Sequence, residues 1–165
     1  MCPSKEVDVA TSDLTTSALD ARGVHYELLP HAHTETALAE AHALGVDPRD
    51  VAKTLVVSTG EGYVRAIVPA TERLDLRKLR ELLGASKKDV QLASERDLAR
   101  DYGEFDLGAV PPIGGKHHDA VVIDRRLLER DELVLEAGNH DESIRMGRED
   151  LVKATDAQVA DISQD

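Results

Sequence analysis

Residues 52–70, AKTLVVSTGEGYVRAIVPA, decide how this chain folds. AKTLVVST (52–59) and YVRAIVPA (63–70) are short, nearly continuous apolar runs, and a Gly-Glu-Gly turn at 60–62 separates them. Runs of this length bounded by turn residues are buried strands rather than amphipathic helices. The reading is a β-hairpin of largely buried strands.

Outward from the hairpin, strands and helices alternate irregularly. Towards the N-terminus, DVATSDLTTSALDAR (8–22) predicts a helix stopped by Gly23, and VHYELLPH (24–31) a short strand broken at Pro30. Residues 34–44 predict a helix closed by Gly45. Towards the C-terminus, Asp75 opens a helix in LDLRKLRELLG, whose Leu76, Leu79, Leu82 and Leu83 make one apolar stripe. VQLAS (90–94) predicts a strand, after which Ser94 caps ERDLARDY with Asp97 three residues on, close to a capping box. DAVVID (119–124), LVLEAG (133–138) and SIRM (143–146) predict strands, RRLLER a short helix, and a last helix starts at Arg148. Such an order lacks the rhythm of a doubly wound fold. It predicts an α/β (α+β) fold with a mixed, curved sheet and helices packed outside it. At 165 residues the chain suits a single domain, 1–165, with 1–7 as a frayed terminus.

Bulk properties narrow the function. No apolar run approaches the ~18 residues of a membrane span, and MCPSKEVDVATSD lacks the basic-then-apolar layout of a secretory signal. The one cysteine, Cys2, excludes an internal disulfide framework. A cytoplasmic protein without membrane contact is expected. The net charge of −12 speaks against a general nucleic-acid binder and against DNA as a partner. The charge is uneven, however. Residues 49–88 hold 9 Lys+Arg against 5 Asp+Glu, whereas 1–48 hold 2 against 8 and 89–165 hold 9 against 19. A basic face on an acidic protein can still receive a polyanion; it is also what a solvated helix surface looks like.

No GxGxxG, GxxxxGK[ST] or GxSxG motif is present. His31, His33, His117 and His118 invite a zinc reading, but no CxxC or HExxH grouping supports it, so no metal and no cofactor are expected. Four aromatics, Tyr26, Tyr63, Tyr102 and Phe105, are too few for a base-stacking platform. More distinctive is LGAVPPIGGKHH (107–118), where prolines and glycines shape a specific loop. Lys53 opens a buried strand, where it either snorkels to water or meets an anion or a polarised carbonyl. Asp124 ends a strand before RRLLER and, taken alone, reads as an N-cap.

Taken together these pieces carry a resemblance. DVAKTLVV, AIVPATERLDLRKLRELLGA, LASERDLARDYGEFDLGAVPPIGG, AVVIDRRLLE, EAGNHDESIRM and VADIS, in that order from about residue 24 to 163, resemble the YbaK / prolyl-tRNA-synthetase-associated editing family. The Lys of VAKTLVV and the GxxxP loop, Gly108 to Pro112, are its most specific parts. GAVPP and AGNHDESIRM look more like the free-standing deacylases than like the cysteinyl-tRNA(Pro) branch, which carries a Lys/Arg-Gly pair where this chain has Asn139-His140-Asp141.

The resemblance implies a YbaK-like fold with a strongly curved, barrel-like sheet. It also implies hydrolysis of the ester between a wrongly attached amino acid and the terminal adenosine of a tRNA, assisted by the adjacent ribose hydroxyl. Lys53 would grip the substrate through its carbonyl, its amino-acid end or a phosphate. The loop would offer backbone N–H groups made accessible by Gly108 and Gly114, an apolar wall from Ala109 and Val110, and stiffness from Pro111 and Pro112. Asp124 would line the pocket and pair with the substrate ammonium, and His140 would hydrogen-bond or move a proton. Arg73, Arg77 and Lys78 would face the tRNA acceptor end. Small amino acids (Ala, Ser, Thr, Cys) are the expected substrates, because one methylene in an apolar pocket is worth only ~1–3 kcal/mol. A free-standing trans-editing enzyme is expected, with an aminoacyl-tRNA synthetase as a further partner. The alternative is a catalytically silent tRNA-binding or synthetase-associated module of the same fold.

Overall fold

The computed structural model describes residues 11–86 and 88–165. Residues 1–7, Cys2, the first three positions of the 8–22 helix and Lys87 lie outside the described residues. In chain order the elements are α1 (Thr11–Ala21), β1 (Glu27–Pro30), α2 (Ala37–Leu44), a 3-10 turn (Pro48–Asp50), β2 (Ala52–Thr59), β3 (Gly62–Pro69) and α3 (Leu76–Leu83). They continue with β4 (Gln91–Leu92), α4 (Glu95–Asp101), β5 (Ala120–Asp124), a second 3-10 turn (Arg125–Glu129), β6 (Glu132–Glu136), β7 (Glu142–Gly147), α5 (Arg148–Thr155) and β8 (Gln158–Ala160).

The 52–70 hairpin forms as expected, with β2 and β3 antiparallel from Ala52↔Pro69 to Thr59↔Gly62. It nucleates a five-stranded mixed sheet in the order β4-β2-β3-β5-β8, in which β5 runs parallel to both β3 and β8. Both hairpin faces are covered, which is why the strands read as apolar runs. On β3, Val64, Ala66 and Val68 pack towards Leu79 of α3, and Ile67 packs towards β6 and β7. β1, β7 and β6 form a second, antiparallel sheet.

The expected single curved sheet is therefore two ladders. One isolated parallel bridge, Val51↔Val134, ties them together, and the strand pairing does not close into a barrel. Beyond the bridge β2 and β6 make no further pairs. A cluster of Ala52, Ile67, Ile123, Leu133, Leu135, Ile144 and Met146 fills the space between the sheets.

Local chemistry sets the element ends. The Asp75 side chain accepts from the Arg77 and Lys78 amides, and Gly84 stops α3 in the left-handed region at φ 65°. Ser94 and Asp97 complete a true capping box. Several elements differ from expectation. Strand β1 is confined to Glu27–Pro30, β4 to Gln91–Leu92 and β6 to Glu132–Glu136, α2 begins after the Thr36 cap, and RRLLER is a 3-10 turn rather than an α-helix. β8 and the Pro48–Asp50 turn were not expected from the pattern. Among the described residues no helix is long and apolar enough to cross a membrane.

Candidate functional site

Where β2 and β6 part, a cavity of about 390 Å³ opens. Lys53, Thr54, Leu55 and Val56 of β2 form one wall, Glu136 of β6 stands beside them, and Gly108 and Val110 of the 107–118 loop face them. Glu35 to Leu38 at the start of α2, with Ala70, Leu92, Ala93 and Leu98, complete the lining. Leu38 and Leu92 are among the most exposed large apolar side chains described, at 54% and 51%.

Lys53 is half-buried, and its ammonium has no hydrogen-bond or ion-pair partner among the described residues. Burial lowers its pKa, helped by the positive charge of Arg73. A cation of this kind is a set of free donors aimed at a small volume.

The loop opposite is held by a residue the sequence reading passed over. Arg65 of β3 is only 1% exposed. Its guanidinium donates to Asp119 Oδ2 at 3.0 Å, and to the carbonyls of Pro111, Gly114 and His117 at 2.9, 2.8 and 3.3 Å. Tyr102 donates its hydroxyl to the same Asp119 oxygen. Gly114, at φ 103°, lies so close to the Leu14 carbonyl that a Cβ there would sit 2.7 Å from it. It belongs to the loop's anchoring rather than to the cavity lining. Gly108 is in the left-handed region at φ 83°. The Ala109 N–H is used in a turn to Asp106 O, whereas the Gly108 and Val110 N–H groups donate to nothing among the described residues.

The remaining expected site residues scatter. Ala109, within the loop, is fully buried and does not line the Lys53 cavity. Pro112 lines a different cavity, with Arg65, His117 and His118. Asp124 is fully buried, caps the second 3-10 turn through the Arg126 amide, accepts from the Ile162 amide and pairs with Arg126. It does not line the Lys53 cavity. His140 stands behind the rim: Nε2 donates to Leu107 O at 2.7 Å and lies 3.6 Å from Glu35, which does line the cavity. Of the basic trio, Lys78 is spent on Asp161, Asp165 and Ser163 O, and Arg77 pairs with Glu81. Arg73 alone bears electrostatically on Lys53.

Three of the four histidines considered for zinc are used separately. His31 lies between Ala32 O and Ser143, His33 between Glu35 and Asp141, and His117 packs on Tyr63 and Tyr102. Among the described residues no group of three or more His, Cys, Asp or Glu is arranged to hold a metal ion.

Glu136 was also missed. It is 8% exposed, and burial followed by the charge of Glu40 pushes its carboxyl well above the usual range. Glu40, on α2, is itself raised by burial, and Ser143 donates its hydroxyl to it. The available signal was a charged residue inside the apolar runs YVRAIVPA and LVLEAG.

The aminoacyl-tRNA editing domain model matches residues 31–154 of the chain. A protein of Enterococcus faecalis described as "Putative Cys-tRNA(Pro)/Cys-tRNA(Cys) deacylase EbsC" is 28% identical over 151 residues, covering 86% of this chain and 90% of that one. The proline–tRNA ligase of Thermosipho melanesiensis is 30% identical over 88 residues, which is 53% of this chain but only 15% of the ligase. Among solved structures, one described as "a putative trans-editing enzyme for prolyl tRNA synthetase" superposes with a TM-score of 0.83 at 28% identity, covering 96% of this chain and 99% of that one.

Proposed function

Since the chain belongs to the aminoacyl-tRNA editing domain family, we propose that it is a trans-editing aminoacyl-tRNA deacylase, with residues 1–165 as one such domain, that removes a small amino acid from a mischarged tRNA in the cytoplasm. The observation that carries the reading is the half-buried Lys53, unpartnered among the described residues, across a small cavity from Gly108 and Val110, whose amides donate to nothing among them.

An aminoacyl ester is already reactive, so the protein's task is to orient it and to stabilise the oxyanion that forms on attack. The Lys53 ammonium and the two loop amides supply donors for that oxygen in a cavity with a mostly apolar lining. The attacking water is helped by the adjacent ribose hydroxyl of the tRNA, so no side-chain nucleophile is needed. The C–O ester bond breaks, the ribose oxygen leaves with a proton, and the products are the free amino acid and intact tRNA. Val56, Leu98 and Val110 make the apolar wall that limits side-chain size. The exposed Leu38 and Leu92 would seat the terminal nucleoside at the mouth, with Arg73 nearest the phosphates. Arg77 and Lys78 contribute less, because acidic neighbours already neutralise them. Similarity to part of a proline–tRNA ligase supports a synthetase as a further partner.

The test is ester hydrolysis on Ala-, Ser-, Thr-, Cys- and Pro-charged tRNAs, comparing wild type with Lys53→Ala. Rapid loss of one or two small aminoacyl groups, slowed roughly tenfold or more by the substitution, supports the deacylase. Intact esters across the panel, with tRNA still bound, would replace it by the silent module.

A further inference from the structure

The parallel bridge pairs Val51 with Val134, so two residues further along each strand Lys53 and Glu136 stand abreast. Both line the cavity, yet no ion pair or hydrogen bond joins them. Glu136 is more than nine-tenths buried, and among the described residues no N–H or O–H donates to it. It shares a side-chain hydrogen bond with Glu40, a second acid, whose Oε2 also accepts from Ser143. Behind Glu40 lie His31 and His140, and the cavity side holds Lys53, the unpartnered Thr54 hydroxyl, Thr36 and Glu35, of which Lys53 alone is a cation. Two buried acids that share a hydrogen bond have no counter-charge in the fold, so ionising either carries a desolvation cost that nothing offsets. A cationic donor arriving from the cavity would offset it.

We propose that Glu136, backed by Glu40, receives the α-ammonium of the substrate's amino acid, and that with Lys53 beside it Glu136 fixes which way round the aminoacyl ester lies. In an α-aminoacyl ester the ammonium and the carbonyl sit on neighbouring carbons, which matches an acid and a base placed side by side with a gap between them. Lys53 repels an ammonium and attracts the carbonyl oxygen, while Glu136 does the reverse. The pair thus removes the ambiguity over which end of the substrate Lys53 meets. It also takes over the ammonium-binding role first expected of Asp124, which is committed to the Ile162 amide and Arg126 instead.

The inference rests on the deacylase reading, and the experiment separates the two. The substrates are the aminoacyl-tRNA of the panel that turns over fastest and its α-hydroxy analogue, in which a hydroxyl replaces the ammonium. Each is corrected for spontaneous hydrolysis and assayed with wild type and Glu136→Gln. Gln keeps the shape of a neutral carboxyl but cannot become an anion. The expected result is a loss of roughly tenfold to hundredfold in kcat/KM on the aminoacyl substrate, mainly through KM, with the α-hydroxy substrate nearly unchanged. A purely structural role would lower both alike, and that result overturns the assignment. Equal rates for wild type and variant on the aminoacyl substrate overturn it as well. A wild type that hydrolyses no member of the panel overturns the deacylase reading and this inference with it.

Discussion

Arg65→Met removes the clamp on the 107–118 loop while keeping most of the side-chain volume. The cost can be worked from the four acceptors it serves. Asp119, whose side chain is 7% exposed, would lose its cation and keep only Tyr102 as a strong donor. The carbonyls of Pro111, Gly114 and His117 would lose their guanidinium donor. Removing one member of a buried, hydrogen-bonded ion pair costs about 3–5 kcal/mol, because the other charge stays buried. Against a stability of about 5–15 kcal/mol for an ordinary domain, the variant still folds. At about 2–4 °C per kcal/mol for a chain of this size, Tm should fall by roughly 6–20 °C. Urea denaturation followed by circular dichroism gives the free-energy difference. Arg65→Met/Asp119→Asn should recover part of the loss, since the stranded charge goes with the arginine. A single-variant loss below about 1 kcal/mol would refute the clamp, as would a double variant worse than the sum of the two singles.

Three further outcomes follow from the same geometry. Lys53→Ala should leave the urea midpoint within about 0.5 kcal/mol of wild type, because Lys53 has no partner to lose. Its kcat/KM should nevertheless drop by about 10- to 150-fold, the equivalent of one charge-assisted hydrogen bond of about 1.5–3 kcal/mol in the transition state; a destabilised but fully active variant would contradict this. The Glu136 carboxyl keeps its proton in the fold at pH values where the unfolded chain, with a carboxyl pKa near ~4.3, has lost it. The unfolded state then binds fewer protons, so wild-type stability falls as pH rises from the unfolded pKa towards the raised folded one, by at most about 1.4 kcal/mol per pH unit. Glu136→Gln should lessen that decline, leaving the share of the buried Glu40, so a thermal-denaturation series from pH 5 to 8 should show the two Tm curves diverging; parallel curves would contradict it. Arg73→Ala should reduce the salt dependence of tRNA binding by about 0.7 in log–log slope, whereas Lys78→Met should leave the slope alone and lower stability through the lost Asp161 and Ser163 contacts.

Much of this was legible in the amino-acid order. The hairpin, the Asp75 and Ser94 caps, the Gly45 and Gly84 stops and the unusual character of the 107–118 loop are encoded within a few residues of where they act. Asp124 is instructive: its local reading as an N-cap is what the structure shows, and the pocket role implied by resemblance is not supported by its position. Lys53 stood out because a cation at the start of an apolar strand needs a reason.

What the sequence alone determined, then, was the set of elements, the loop and the lysine, because side-chain periodicity, caps and backbone-restricted residues act over one or two turns of chain. What only the tertiary structure decided was the company these keep. The clamp joins Arg65 to residues 46 to 54 positions away, and the acid pair joins a helix to a strand of the other sheet. The division into two sheets rests on one bridge at Val51 and Val134, and β2 and β6 part beyond it, where the Lys53 cavity opens. No local pattern carries such pairings, since they arise when separately encoded surfaces are packed together and a buried charge must take whatever partner the fold provides.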